Sequence, residues 1–404
     1  MRRPCRSGRR NERCKVINHS EHTCCTGPSR RSWFTLQESP KLIPDTPEPP
    51  VGSVYSRTFA ELLDRLGITV AVTTYQAGKL VLLRAEAGGL NTHFRTFRRP
   101  MGLAYRPGRL AIGTMTEVWD FHNVPEAAAR LAPAARHDAC FLPGSVHATG
   151  DILVHELAWA GPELWVVNTR FSCLSTLDAV KGLVPRWRPP FVTALAAEDR
   201  CHLNGIALVD GRPAYVTALG RTDTACGWRE CKRSGGVLLT VPGGEVVAAG
   251  LCMPHSPRWY GGTLLLLESG TGTLGVVDRG TGRYDPIAAL PGFTRGLDVY
   301  DHYAFIGLSQ VRETAHFSGL PITDRAERVC GVWVVDLRTG HTIAFVRFEA
   351  AVQEVFAVQV MPQLRYPDLI NDDVARHGDV HSASPQVEAP PLPAPSYSEV
   401  RACR

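Results

Sequence analysis

The chain has 404 residues, 44% hydrophobic and 21% charged, a globular composition long enough for two average domains or one large all-β domain. Its formal charge of +5 is local: residues 1–50 carry ten Lys/Arg against five Asp/Glu, and residues 51–404 carry 34 of each, so the folded part presents no basic field for nucleic acid. No run reaches the roughly eighteen continuous apolar residues of a membrane-spanning helix.

Residues 1–54 lack hydrophobic periodicity and close on "PDTPEPPVG", so a disordered basic, Pro-rich tail is expected there. "SRRSWFTL" at 29–36 superficially matches a twin-arginine export signal. The segment that follows, "QESPKLIPDTPEPP", is polar where such a signal needs an apolar run, and a cytoplasmic protein is expected. The cysteines point the same way. Cys5, Cys14, Cys24 and Cys25 match no common zinc spacing, and Cys140, Cys173, Cys201, Cys252 and Cys330 stand singly among apolar runs, as reduced buried thiols do. Cys226 and Cys231 are close enough in sequence to pair, although a cytosolic setting favours the reduced form.

"FAELLDRLG" at 59–67 places Leu62, Leu63 and Leu66 on one helical face with Gly67 as a stop. "EAAARLAPAARHDAC" contains a second helical stretch, in a connection. The rest alternates strand and turn, and six segments share a pattern: a distinctive residue, an apolar strand, a turn, another apolar strand. They are "MGLAYRPGRLAIGT" from Met101, "HELAWAGPELWVVNT" from His155, "NGIALVDGRPAYVTA" from Asn204, "HSPRWYGGTLLLLES" from His255, "RGLDVYDHYAFIGLS" from Arg295 and "EVFAVQVMPQ" from Glu354. Spacings of 40 to 59 residues fit four-stranded propeller blades.

The sixth unit has only its first strand. Near the other end, "ITVAVTTYQAGKLVLLRA" and "HFRTFRRP" supply strands that lack an opening partner. Joining the two, with 354–360 innermost and the outer strands from 68–98, predicts an all-β, six-bladed β-propeller over 55–370, closed by its C-terminal strand. A long β-sandwich or two β domains predicts neither a common period nor orphan half-units. Residues 371–404 read as a disordered C-terminal tail.

In such a ring each first strand lines the central channel and starts on one face. Met101, His155, Asn204, His255, Arg295 and Glu354 then meet near the axis, five of the six polar. His155, His255 and Glu354 are candidate ligands for a divalent metal such as zinc, iron or manganese. Arg295 is a candidate clamp for a carboxylate or oxyanion, with a structural salt bridge to Glu354 or Asp298 as its alternative. Asn204 is a candidate ligand or substrate-orienting amide, and His202, two residues before it and on the same side of the strand, is a candidate catalytic residue. His137, Asp138, His147 and Asp151 precede the second full unit without standard metal spacing. The long loop "GRTDTACGWRECKRSGG" brings Trp228, flanked by cations, to the same face.

Two resemblances are carried by these residues. The repeated inner strands, one opened by Asn204-Gly205 with Glu156 near a second motif position, are similar to the gluconolactonase and senescence-marker class of six-bladed propellers, which implies an axial divalent cation and lactone or ester hydrolysis. His155 and His255 depart from that class, and no axial Asp is evident. More closely, "TGDILVHELAW", "RCHLNGIAL", "MPHSPRWY", "PGFTRGLD" and "VQEVFAVQV" resemble an uncharacterised family of bacterial conserved hypothetical proteins, over about residues 55–368, which implies no established reaction. Two functional readings stand. One is a metal-assisted enzyme of hydrolase, lyase or oxygenase type acting on a small polar or anionic substrate. The other is a non-catalytic propeller that binds a peptide, sugar or protein on its loop face. Either takes its ligand at the channel mouth, with neither nucleic acid nor membrane as partner.

Overall fold

A computed structural model describes residues 52–311, 318–349 and 351–371. They form six four-stranded antiparallel sheets, two of which gain a fifth strand. The inner strands are Leu103–Arg106, Val154–Ala160, Leu203–Val209, Pro254–Tyr260, Phe293–Tyr300 and Ala357–Pro362, and here define blades one to six. Each packs against the next, and the sixth against the first. This is a six-bladed β-propeller.

The ring closes as the orphan strands predict. Ala357–Pro362 pairs antiparallel with Ile68–Thr74, in the register Ile68↔Pro362 to Thr73↔Ala357. Lys79–Glu86 and Gly89–Thr96 complete that sheet. The inner strand begins three residues later than the expected 354, because Glu354 and Val355 belong to the turn that enters it.

Two short strands were not expected. Ser53–Tyr55, within the segment assigned to the tail, pairs with His341–Phe348 on the outside of blade five. Pro367–Leu369 pairs in parallel with Ala139–Phe141 on the outside of blade one. The chain thus leaves blade six in both directions and latches onto both of its neighbours. Disorder over the rest of 1–54, and over 371–404 beyond Asn371, concerns residues outside those described, as do Cys5, Cys14, Cys24, Cys25 and the arginine pair at 30–31.

Strand sequences such as "TLLLLE" are apolar throughout because both faces of every blade are covered. Leu264 and Leu266 enter the layer shared with blade three, while Leu265 and Leu267 enter the layer shared with blade five. The period-2 geometry of a strand sends neighbours to opposite sides, so continuous leucine fills two cores at once. The helix Arg57–Leu66 lays Phe59, Leu62 and Leu63 on the layer between blades five and six. It stops at Gly67, whose φ of 64° is a left-handed cap that other side chains rarely adopt. The second helical stretch is the single turn Pro125–Ala128. Cys226 and Cys231 are both free thiols.

A recurrent polar contact joins the blades near the axis. At the end of a second strand a hydroxyl donates to a carbonyl at the start of the next blade. Thr73 Oγ1 donates to Met101 O at 2.6 Å, Thr169 Oγ1 to Leu203 O at 2.5 Å, Ser269 Oγ to Thr294 O at 2.5 Å and Ser309 Oγ to Val355 O at 3.0 Å. Between blades three and four the amide of Asn204 does the work: its Nδ2 donates to Pro254 O at 3.0 Å, and Thr217 Oγ1 donates to its Oδ1 at 2.6 Å. Blades one and two are joined through the backbone, Gly102 N donating to Val154 O at 3.1 Å. Ser309 also accepts from Val355 N at 3.1 Å, so Ser309→Ala strips the side-chain partner from both backbone polar groups of a buried residue. A loss of about 1–3 kcal/mol is expected in urea denaturation, and an unchanged midpoint contradicts the role given to this contact.

Candidate functional site

The axial end at which the inner strands begin holds a cavity of about 350 Å³. It is lined by His155, His202, His255, Arg295 and Glu354, with Asp199, Trp228, Arg229 and the apolar faces of Tyr75, Phe293 and Phe356. Five of the six candidate site residues therefore share one cavity. Asn204 is not in its lining: the amide is 3% exposed and committed to the contact between blades.

The two axial histidines are held in the same way. His155 Nδ1 lies 3.2 Å from Leu153 O and 2.9 Å from Thr169 Oγ1. His255 Nδ1 lies 3.0 Å from Met253 O and 2.9 Å from Ser269 Oγ. Each hydroxyl has one hydrogen and spends it on the next blade's carbonyl, so toward the ring it can only accept. The proton of each neutral imidazole therefore sits on Nδ1, and the lone pair of Nε2 is left toward the axis. Burial holds both rings well below the ordinary pKa of 6.5. For His155 the charges of His202 and Arg295 add to that effect, and for His255 the charge of Arg295 does.

Arg295 Nη2 donates to His155 Nε2 at 2.9 Å, and its guanidinium carbon lies 3.5 Å from the centre of the Phe356 ring. Neither structural ion pair expected as its alternative forms: no carboxylate stands within ion-pair distance of Arg295 among the described residues. Asp298 instead accepts from Gln359 Nε2 at 2.5 Å and Val360 N at 2.7 Å. Burial lowers the Arg295 pKa to about 10, the charges of Glu354 and Tyr75 acting in the opposite sense. It remains a cation at neutral pH.

His202 carries the third ring. Its Nδ1 meets Asp199 Oδ2 at 2.9 Å, the Trp228 Nε1–H donates to the same oxygen at 3.0 Å, and its Nε2 lies 3.0 Å from His155 Nε2. Two ring nitrogens at that distance need a proton between them. His155 has placed its hydrogen on Nδ1, so its one Nε2 lone pair faces both Arg295 and His202. Trp228, its ring centre 4.4 Å from that of His202, is a buried cavity wall carried by the short 3₁₀ turn Gly227–Glu230.

Asp199 was missed by the sequence reading, as were Thr169 and Ser269. The signals were present: Asp199 stands three residues before His202, and the hydroxyls stand fourteen residues after each axial histidine. Glu156, which the gluconolactonase resemblance brought forward, is buried away from the cavity, pairing with Arg258 and accepting from Ile206 N at 2.9 Å. The other polar residues ahead of the second full unit lie outside the cavity lining. His137 and Asp138 contact the C-terminal segment around 365–368, Asp151 pairs with Arg99 and Arg170, and His147 contacts Ser145 on an outer strand. Among the described residues no group of three His, Cys, Asp or Glu side chains is placed to hold a metal ion, and none of the helices is long and apolar enough to cross a membrane.

A family model described as "Domain of unknown function (DUF4915)" matches residues 57–370. The chain belongs to this family. No curated protein sequence matches it. Solved structures with partial similarity include the nidogen/laminin complex, at 10% identity and a TM-score of 0.48 over 73% of this chain and 99% of that one. Another is a protein of unknown function from Bacteroides caccae, at 8% identity and a TM-score of 0.47 over 73% and 98%.

The neutral histidines of this DUF4915 domain set a pH dependence. In the unfolded chain both rings take a proton near 6.5, whereas the folded state resists it. Below that pH the unfolded state binds more protons, so stability is full above 6.5 and falls as pH drops beneath it. Burial raises the Glu156 and Asp298 carboxyls, which acts in the opposite sense toward the carboxylate range, so the histidine effect is cleanest just below 6.5. Denaturation midpoints on either side of that value are expected to differ, and the double variant His155→Gln, His255→Gln is expected to reduce the difference to what His93 and His137, also held down by burial, contribute. A native midpoint that ignores pH there contradicts the burial of two neutral rings.

Proposed function

We propose that the axial cavity is the functional site and that it takes a small organic anion. One observation carries this reading: Arg295 holds a charged guanidinium at the cavity, hydrogen-bonded to a neutral imidazole instead of a carboxylate. Its five N–H donors suit a bidentate carboxylate or similar oxyanion. Tyr75, Phe293, Phe356 and Trp228 offer apolar faces to the rest of the molecule, and the volume lies toward the small end of ligand sites. His255 Nε2, with no hydrogen bond among the described residues, accepts a hydrogen bond from the ligand or abstracts a proton from it. Both a catalytic and a purely binding role need these contacts.

A second reading rests on the two Nε2 lone pairs and the Glu354 carboxylate around the same cavity. In it His155, His255 and Glu354 hold zinc, iron or manganese, and the metal assists an enzyme reaction on the same anion. It requires Arg295 and His202 to leave His155 Nε2 first and the three side chains to draw together, because among the described residues they are not placed to share an ion. Metal analysis of the purified protein separates the two: stoichiometric metal lost in His255→Ala favours the second reading, and its lack in folded protein favours the first.

Binding of small carboxylates, measured by calorimetry against the matching primary amides, tests the anion site. The carboxylates are expected to bind, and Arg295→Gln is expected to weaken them roughly ten- to hundredfold, the loss of a charged hydrogen-bond pair. Equal binding of acids and amides, or an unaffected Arg295→Gln variant, contradicts the proposal.

A further inference from the structure

The charged groups of the cavity are not equivalent. Asp199 is committed to His202 and Trp228. Arg229 is exposed at the rim, 5.6 Å from the centre of the Trp228 ring. Apart from that exposed rim cation, two charges of the cavity make no ion pair among the described residues: the cation of Arg295 and the anion of Glu354. Both line the cavity. Glu354 makes no hydrogen bond or ion pair among the described residues, although its charge is felt by Arg295. The third uncommitted group is His255 Nε2, which the Ser269 contact fixes as an acceptor.

A cavity offering one fork of donors and two acceptors, one of them charged, is complementary to a molecule with a carboxylate at one end and several N–H donors at the other. We infer that the ligand is a zwitterion carrying a carboxylate and a primary ammonium, an α-amino acid or a molecule of that class. Its carboxylate meets Arg295, and its ammonium, with three donors and a positive charge, meets Glu354 and His255 Nε2. The aromatic walls then take the side chain and add attraction for the ammonium through their ring faces. A simple carboxylate satisfies Arg295 but leaves Glu354 facing the negative end of the ligand with nothing between them. An amine alone satisfies Glu354 but leaves Arg295 unmatched. Only the doubly charged molecule neutralises both, and a site of about 350 Å³ holds one of amino-acid size.

This inference rests on the anion site of Arg295, and the test keeps the two apart. The full-length protein is titrated with the twenty protein L-amino acids, with the deaminated acid of each, and with the decarboxylated amine of each. At least one amino acid is expected to bind ten or more times tighter than both of its truncated forms. Glu354→Gln is expected to erase the advantage over the deaminated acid while leaving that acid's own binding unchanged or tighter. If amino acid and deaminated acid bind alike, the ammonium site is overturned and the anion site stands. If only amines bind, or if no compound of the three sets binds, both are overturned.

Discussion

At the ends of the second strands of blades two and four, a single hydroxyl hydrogen organises the centre of this molecule. Thr169 and Ser269 give that hydrogen to the next blade's carbonyl, and in doing so lose the ability to donate to the histidine beside them. The bond that stitches neighbouring blades together therefore also decides which nitrogen of His155 and His255 is bare. Ring closure and site chemistry are set by the same atoms. A change that loosens the ring at these points is felt at the axis, and a site histidine cannot change tautomer without disturbing the stitch.

The electrostatics follow from that arrangement. A neutral acceptor near the axis, His155 Nε2, lets a guanidinium stand half-buried against the Phe356 ring without a carboxylate within ion-pair distance. Arg295 rests against His155 Nε2 and Phe356 and retains its charge. A half-buried charge with a dipole for a partner is less fully compensated than one in an ion pair, which makes the cavity receptive to an anion. The Asp199–His202 pair and the Trp228 indole hold one wall in place through one carboxylate oxygen, so the long loop that bears Trp228 is tied to the same network.

Much of the fold was legible because the sequence repeats its inner strands. A polar residue ahead of an apolar run marked five of the six strand starts, and the unpaired half-units at 68–98 and after 354 identified the closing sheet. The latching strands Ser53–Tyr55 and Pro367–Leu369 were not legible, since three-residue strands on an outer edge show no period. The site was only partly legible, for a reason visible at Asn204. It stands in the repeat where His155 and His255 stand, but its hydroxyl partner Thr217 follows at thirteen residues instead of fourteen, and the amide itself bridges to Pro254 O. Equivalent position in the repeat thus brought side chains to the axis without revealing which atoms were already engaged. Arg295 was anticipated as a clamp, but its contact with a histidine from three blades away depends on ring geometry that no local pattern encodes.

The most direct measurement is of the tautomers, by ¹⁵N NMR of the imidazole nitrogens near neutral pH, with His155 and His255 assigned by single substitution. Both rings are expected to be neutral, with a protonated, pyrrole-type Nδ1 and a bare, pyridine-type Nε2, and Thr169→Val and Ser269→Ala are expected to disturb His155 and His255 respectively. A proton on Nε2 of either ring, or an imidazolium at either position, would contradict the coupling between blade closure and axial chemistry.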